Sequence, residues 1–213
     1  VSLLEAMRDT GTPRVILASS GAVYGLQETQ PVSEQTRPNP RSPYAVSKLA
    51  AEYYLHTIGA LWNIETVALR IFHAYGPHQA LPASHAPVVP RFLQQALGGG
   101  SLVLFQDGQQ TRDFVYVGDV AAANVAASRY GSGIYNVGTG VATSFNELAD
   151  LLNQILGTNY RTEYFKNPYD PKTYQHFTQA DLVLAKSGLG YAPEWSLEAG
   201  IRDYFAGIGF ATS

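Results

Sequence analysis

Tyr44 and Lys48 stand four residues apart in the segment Tyr44-Ala45-Val46-Ser47-Lys48, which puts both side chains on one face of a helix. A phenol ordinarily keeps its proton to about pH 10. An ammonium one turn away favours phenolate, and a second cation close by would favour it further. Such a pair can take the proton of a hydroxyl group while a hydride leaves the same carbon. With 14 tyrosines and four lysines in the chain, chance alone supplies roughly a quarter of one such pair, so the pair acquires meaning only from its surroundings. Ser19 and Ser20 close an apolar run at residues 14–19, and α/β sheets present their reactive groups where strands end. A serine there can donate a hydrogen bond to a substrate oxygen. It can equally cap a turn, which is the commoner role of a lone Ser-Ser. No Gly-x-Ser-x-Gly elbow is present, which sets aside the α/β-hydrolase arrangement. His73 and His78 lack the i, i+4 spacing of a zinc helix.

The elements that must position these residues follow from local pattern. Residues 3–8 read as a helix that stops near Gly11 and Pro13. Residues 14–19 have the apolar pattern of a strand buried on both faces of a parallel sheet. A loop over 25–41 leads to Ser42, which caps a helix with Pro43 at its first position, running past Lys48 toward Trp62. Residues 66–71 form a second buried-type strand, and strand, helix, strand is a parallel crossover unit. A loop over 72–87 is followed by a helix at 88–97 and strands at 102–105 and 112–116. A helix at 119–127 and a strand at 134–137 come next. Ser144 and Glu147 form a capping box, residues 162–165 are strand-like, and two short helices follow, the last capped by Ser196. The expected fold is α/β: a Rossmann-like parallel sheet in residues 1–77, lacking its first strands, and a smaller mixed α/β substrate lobe in 78–213 interleaved with the remaining Rossmann elements.

Several segments in this order resemble the extended short-chain dehydrogenase/reductases. They are Ala18-Ser19-Ser20-Gly21-Ala22-Val23-Tyr24-Gly25, then Ser42-Pro43-Tyr44 through Lys48, then Leu69-Arg70-Ile71-Phe72-His73-Ala74-Tyr75-Gly76-Pro77. Gln110-Thr111-Arg112-Asp113-Phe114-Val115-Tyr116-Val117-Gly118-Asp119-Val120 and Tyr135-Asn136-Val137-Gly138-Thr139-Gly140 continue the pattern. Within that group the chain is most similar to the NAD-dependent sugar-nucleotide epimerases of the UDP-glucose 4-epimerase type. The resemblance implies that Tyr44 is the base, Lys48 its tuning partner and ribose contact, and Ser20 the substrate's hydroxyl partner. It implies NAD contacts at Ser19, Tyr44, Lys48, Ile71 and Phe72, and nucleotide-sugar contacts at Ser20, His73, Arg91, Arg112 and Tyr174. Arg112 would grip the diphosphate, a task suited to a permanently charged fork of donors. Asp113 and Asp119 are assigned structural roles. The helix of Tyr44 and the one containing Leu4 would join those of a second copy in a homodimer.

Family dehydratases resemble one another in an Asp-Glu pair just after the serine or threonine, because elimination needs a further acid and base. Here those positions are Gly21 and Ala22, which move no protons, so oxidation followed by reduction is favoured over elimination. His73 replaces the asparagine the family usually carries. The stretch from Lys172 to Asp181 is similar to ADP-heptose 6-epimerases and some archaeal-type 4-epimerases, leaving the sugar nucleotide open, with Tyr174 and His176 as pocket candidates. No glycine-rich turn of the pyrophosphate-binding kind occurs between a first strand and helix, so a truncated chain or a non-catalytic nucleotide-sugar binding module stands beside the epimerase reading, as does a dehydrogenase with net turnover.

Composition frames these expectations. The 213 residues are 46% hydrophobic and only 15% charged, enough for one substantial core and low enough in charge to predict surface covered by a partner or by further structure. A net charge of −3 gives no electrostatic footprint for nucleic acid. The absence of cysteine excludes disulfides and thiolate metal sites. No apolar run is long enough to cross a bilayer, so no membrane partner is expected, and a cytoplasmic location is.

Overall fold

The computed structural model describes residues 1–79, 88–105, 107–168, 170 and 172–208. Residues 80–87 of the expected 72–87 loop lie outside the described residues. The chain runs α1 (Ser2–Thr10), β1 (Arg14–Ser20), a 3-10 turn (Gly21–Tyr24), α2 (Pro43–Trp62), β2 (Glu65–Ile71), β3 (His73–Tyr75) and α3 (Val88–Leu97). It continues with β4 (Leu102–Phe105), β5 (Thr111–Arg112), β6 (Phe114–Tyr116), α4 (Val117–Ala127) and β7 (Gly133–Val137). β8 (Thr143–Ser144), α5 (Phe145–Leu156), β9 (Thr162–Phe165), α6 (Val183–Leu189) and α7 (Leu197–Gly207) follow.

β1, β2 and β7 form a parallel three-stranded sheet in that order, with Ser19 beside Arg70 and Ile71 beside Val137. β2 is its centre and carries fully buried Val67, Ala68 and Leu69. Helices cover both faces. On one face Leu4 and Met7 of α1 and Leu55 of α2 pack on Ala68; on the other Ala123 and Ala127 of α4 and Ala185 and Leu189 of α6 pack on Val67 and Leu69. Each large side chain so buried contributes about 1.5–3 kcal/mol. β1 departs from the expected burial on both faces: Val15, Ile16 and Leu17 are half-buried and Ala18 is exposed. Among the described residues it has a strand partner, β2, on one edge only.

A second core gathers Phe92, Leu102, Leu104, Phe114, Leu148, Leu152, Ile201 and Phe205 around the two-stranded pairs β3–β6 and β4–β9. The expected strand at 112–116 is split at Asp113, because β5 pairs antiparallel with β8 while β6 turns to pair in parallel with β3. The expected loop after Ile71 therefore includes a strand at His73–Tyr75. Helix ends obey local rules: Gly11 is left-handed at φ 68°, the Ser42 hydroxyl accepts from the Ala45 amide, and the Ser144–Glu147 capping box is present. Among the described residues no helix is long and apolar enough to cross a membrane.

Candidate active site

β1 ends on Ser20, whose extended backbone (φ −149°, ψ 143°) starts the 3-10 turn and whose Oγ accepts from the Ala22 amide at 3.2 Å. The capping role is therefore real, and the same serine lines a cavity of about 320 Å³ at the end of the sheet. Tyr44 lines it from the first turn of α2, held there by Pro43 and the Ser42 cap. Tyr44 is 55% exposed, open to a ligand. Lys48, one turn on, donates from Nζ to the Ala18 carbonyl at 2.7 Å and stands 5.7 Å from the centroid of the Tyr44 ring. Phenol, ammonium and hydroxyl thus meet where β1 and α2 converge.

Ile71 and Phe72 form another wall of this cavity with Gly21, Ala22, Gln175 and Thr178. A Cβ on Gly21 would lie 3.2 Å from the Phe72 ring, tighter than ordinary van der Waals contact, so an acidic residue there would have to displace Phe72. Gln175 and Thr178 come from the stretch at 172–181, where Tyr174 and His176 were the expected pocket residues and no local spacing marks these two.

His73 and Val88 are shared with a second cavity of about 170 Å³, lined also by Arg91, Arg112, Phe105, Phe145 and Tyr174. Arg112 is 6% exposed. Its Nη1 donates to the carbonyls of Thr111 (2.8 Å) and His176 (3.2 Å), and its guanidinium lies 5.2 Å from the Tyr174 ring and 5.5 Å from the Phe145 ring. Burial lowers its affinity for a proton, while Tyr174 opposes that by charge and hydrogen bond. Among the described residues no carboxylate pairs with it, so a buried cation faces the cavity with dipoles and ring faces alone. Arg91 lies 5.7 Å from the Phe105 ring. His176 packs edge-on to Tyr174 at 5.1 Å.

His73 is half-buried, and its Nδ1 is screened from solvent with no hydrogen-bond partner among the described residues. Burial, and then the charge of Arg112, push its pKa down to about 3. At neutral pH it is an uncharged imidazole in the wall between the two cavities.

Ser19 points elsewhere. Its hydroxyl donates to Glu52 in the interior, beside the ion pair of Glu52 with Arg70, so its side chain belongs to the packing of α2 on the sheet. Asp113 accepts from the amides of Thr139, Gly140 and Ala180 and from the Thr139 hydroxyl. It ties β6 to the loop after β7 and to the segment before α6. Asp119 accepts from the amides of Glu194 and Trp195.

A doubly covered parallel sheet carries a Tyr–Lys helix and a strand-end serine at its rim, where open α/β sheets place their ligands. The chain belongs to the NAD dependent epimerase/dehydratase family, whose model matches residues 1–138. It is 40% identical over 203 residues to a protein of Methanocaldococcus jannaschii provisionally named a UDP-glucose 4-epimerase, covering 95% of this chain and 65% of that one. A solved UDP-glucose 4-epimerase of Thermotoga maritima, with UDP-glucose, superposes with a TM-score of 0.90 at 33% identity, over 97% of this chain and 67% of the other. The ADP-L-glycero-D-manno-heptose-6-epimerase of Helicobacter pylori superposes with a TM-score of 0.85 at 35% identity, over 97% and 63%. The chain thus spans somewhat less than two thirds of the curated relatives it matches.

Proposed function

We propose that this chain is the catalytic and substrate-binding part of an enzyme that epimerises a nucleotide-linked sugar, of the UDP-glucose/UDP-galactose 4-epimerase type, by transient oxidation to a keto-sugar and re-reduction. The observation that carries this is the shared wall at His73 and Val88. It makes one groove with the Tyr44–Ser20 chemistry at one end and the buried cation Arg112 at the other, as a sugar joined to a diphosphate requires. In this reading residues 1–77, with β7 returning to their sheet, form the cofactor-side lobe and 78–213 supply the substrate lobe.

The cofactor end fits NAD in part. Tyr44 and Lys48 are accessible at the C-terminal edge of the sheet, where Gly21 packs closely against the Phe72 ring. Ser20, Tyr44, Lys48, Ile71 and Phe72 would flank the nicotinamide and its ribose, with Ser19 contributing backbone at most because its hydroxyl is taken by Glu52. NAD, when bound, accepts the hydride of the sugar carbon and returns it. Tyr44 takes the proton of the sugar hydroxyl as the carbon is oxidised and gives it back when the opposite face is reduced. Lys48, its Nζ bonded to the Ala18 carbonyl and 5.7 Å from the centroid of the Tyr44 ring, holds positive charge at that end of the groove. Ser20 fixes the sugar oxygen by a hydrogen bond. Arg112, with Arg91, binds the diphosphate, and the aromatic faces of Phe105 and Tyr174 enclose the nucleotide end. Gly21 and Ala22 offer no acid–base groups for elimination, which favours epimerisation over dehydration.

The exposed residues Val46, Tyr53 and Leu61 of α2, Leu3 of α1 and Val1 before it support a homodimer through these two helices. A heptose-type substrate is the second reading, favoured by the likeness to the Helicobacter pylori enzyme and by the segment 172–181. The test is to incubate the chain with NAD and UDP-galactose, UDP-glucose or ADP-heptose and follow the epimers chromatographically. Interconversion of one pair without net NADH supports the proposal and names the substrate. Accumulation of NADH would replace it with a dehydrogenase. Binding of the nucleotide sugar with no conversion and no NAD binding would reduce the chain to a binding module.

A further inference from the structure

Beneath α2 lies a group of charges that the proposed chemistry does not use. Glu52 is 1% and Arg70 2% exposed. Arg70 donates from Nε to Glu52 Oε1 at 3.0 Å and from Nη2 to Oε2 at 2.7 Å, a two-pronged pair, and Ser19 donates to the same Oε1. The far side of Arg70 lies 4.7 Å from the Tyr24 ring, whose hydroxyl donates to Asn136 on β7 at 2.6 Å. The Asn136 side chain in turn donates to the carbonyls of Val32 and Asp181. Among the described residues the remaining nitrogen of Arg70, Nη1, is buried without a hydrogen-bond partner.

The placement within the elements gives the cluster its meaning. Glu52 follows Lys48 by one turn of α2 and Tyr44 by two, on the same face. Lys48 bonds Ala18 and Glu52 bonds Ser19, so successive turns of the helix hold successive residues of β1. Ser19 is the register partner of Arg70 across the β1–β2 pair. One carboxylate therefore joins the helix of Tyr44 and Lys48 to the strand of Ser20 and to the strand leading into Ile71, Phe72 and His73. Farther along, α2 is seated by apolar and close backbone packing, through Leu55 and through Gly59, where a Cβ would lie 2.4 Å from Thr66. A buried ion pair adds little net stability over apolar packing of the same volume, but a two-pronged pair is directional in a way apolar contact is not. A helix turned by one residue, about 100°, would carry Glu52 away from both partners.

We propose that Glu52 is a positioning residue: through Arg70 and Ser19 it fixes the rotation and height of α2, and so places Tyr44 and Lys48 against the end of β1. This rests on the proposed function, in which those two residues do the chemistry, but its test does not depend on turnover. Glu52→Gln alone leaves Arg70 charged and unpaired in the interior and can fail to fold. The informative variant is the pair Glu52→Leu with Arg70→Met, which removes both charges together. Amide hydrogen exchange is measured across α2 in the parent and in this variant, alongside the thermal midpoint and, with NAD and UDP-galactose, kcat and KM. The expected result is a folded protein in which residues 46–50 exchange at least about tenfold faster, while residues 55–62 and α5 exchange as before. In an active parent, kcat falls at least about tenfold with KM for the nucleotide sugar changed by less than about threefold, the mark of a transition-state effect. Arg70→Lys, which keeps the charge but loses the fork, should fall between the two. Unchanged exchange at 46–50, or a uniform rise over the whole molecule, would overturn the proposal. So would a double variant unable to fold, since the pair would then hold the fold and not the setting of the helix. A parent that forms no epimer counts against the proposed function alone, and the exchange measurement still decides the role of Glu52.

Discussion

At the scale of single residues, Tyr44 and His73 carry the sharpest consequences. In the proposed function Tyr44 exchanges a proton with the sugar hydroxyl at the end of the groove where Lys48 stands. Replacing it by phenylalanine keeps the ring and removes the acid–base oxygen. Epimerisation by the Tyr44→Phe variant should fall by about 10²–10⁴-fold, while calorimetric affinity for the nucleotide sugar stays within a few-fold. A comparable loss of binding would mean that the phenol holds substrate instead of reacting with it. His73 makes a prediction in pH. Its folded-state pKa of about 3 lies below the ordinary 6.5, so the unfolded chain takes the proton first as the solution is acidified. The neutral imidazole therefore costs no stability above pH 6.5, and stability is lost progressively from there toward pH 3. Each pH unit is worth at most about 1.4 kcal/mol, which partial exposure reduces. Urea unfolding at pH 7 and pH 5 should show the parent losing about 1–2 kcal/mol relative to His73→Asn. Equal losses in the two proteins would show that His73 is already protonated or solvated in the native state.

At the scale of elements, the first turn of α2 is the most consequential segment, because it presents Tyr44. The Ser42 hydroxyl satisfies the Ala45 amide at 3.2 Å. Ser42→Ala should cost about 1 kcal/mol in denaturant unfolding and loosen that turn; an unchanged midpoint would show that Pro43 alone sets it. Caps of this kind made much of the fold legible from the sequence. Ser42 with Pro43, Ser144 with Glu147, Ser196 and Gly11 all mark ends that depend on neighbours three or four residues away. The mostly apolar runs at 66–71 and 134–137 were equally plain as buried strands, although they also bury Thr66, Arg70 and Asn136. What escaped depended on distant partners. His73–Tyr75 is a strand because β6, about forty residues later, pairs with it, and three residues ahead of Gly76-Pro77 carry no period of their own. Glu52, with Tyr53 and Tyr54 beside it, has no local mark that separates a buried ion from a solvated helix face. Its meaning comes from Arg70, which reaches it only after the crossover closes. Of the residues expected at the site, Ser20 and Tyr44 line the first cavity and Arg112 the second, whereas the side-chain direction of Ser19 was settled by packing.

At the scale of the whole molecule, apolar surface is the unresolved tension. Tyr53 is 64% and Leu61 75% exposed on α2, and Leu3 66% on α1. An exposed apolar stripe on adjacent helices marks an association surface. Sedimentation should report a dimer at micromolar concentration, converted to monomer by Tyr53→Lys with Leu61→Lys; a monomeric parent would contradict the homodimer. The two cavities meeting at His73 are the other whole-molecule feature, joining the sheet's rim to the second core in the groove that the proposed function assigns to one extended ligand. The measurement that bears most directly on this union is epimerisation of UDP-galactose deuterated at C4, with NAD present in trace amount. Transient oxidation with return of the same hydride predicts UDP-glucose that retains the deuterium at C4, with no accumulation of NADH. Loss of the label to solvent, its appearance in released NADH, or no conversion together with no NAD binding would contradict it.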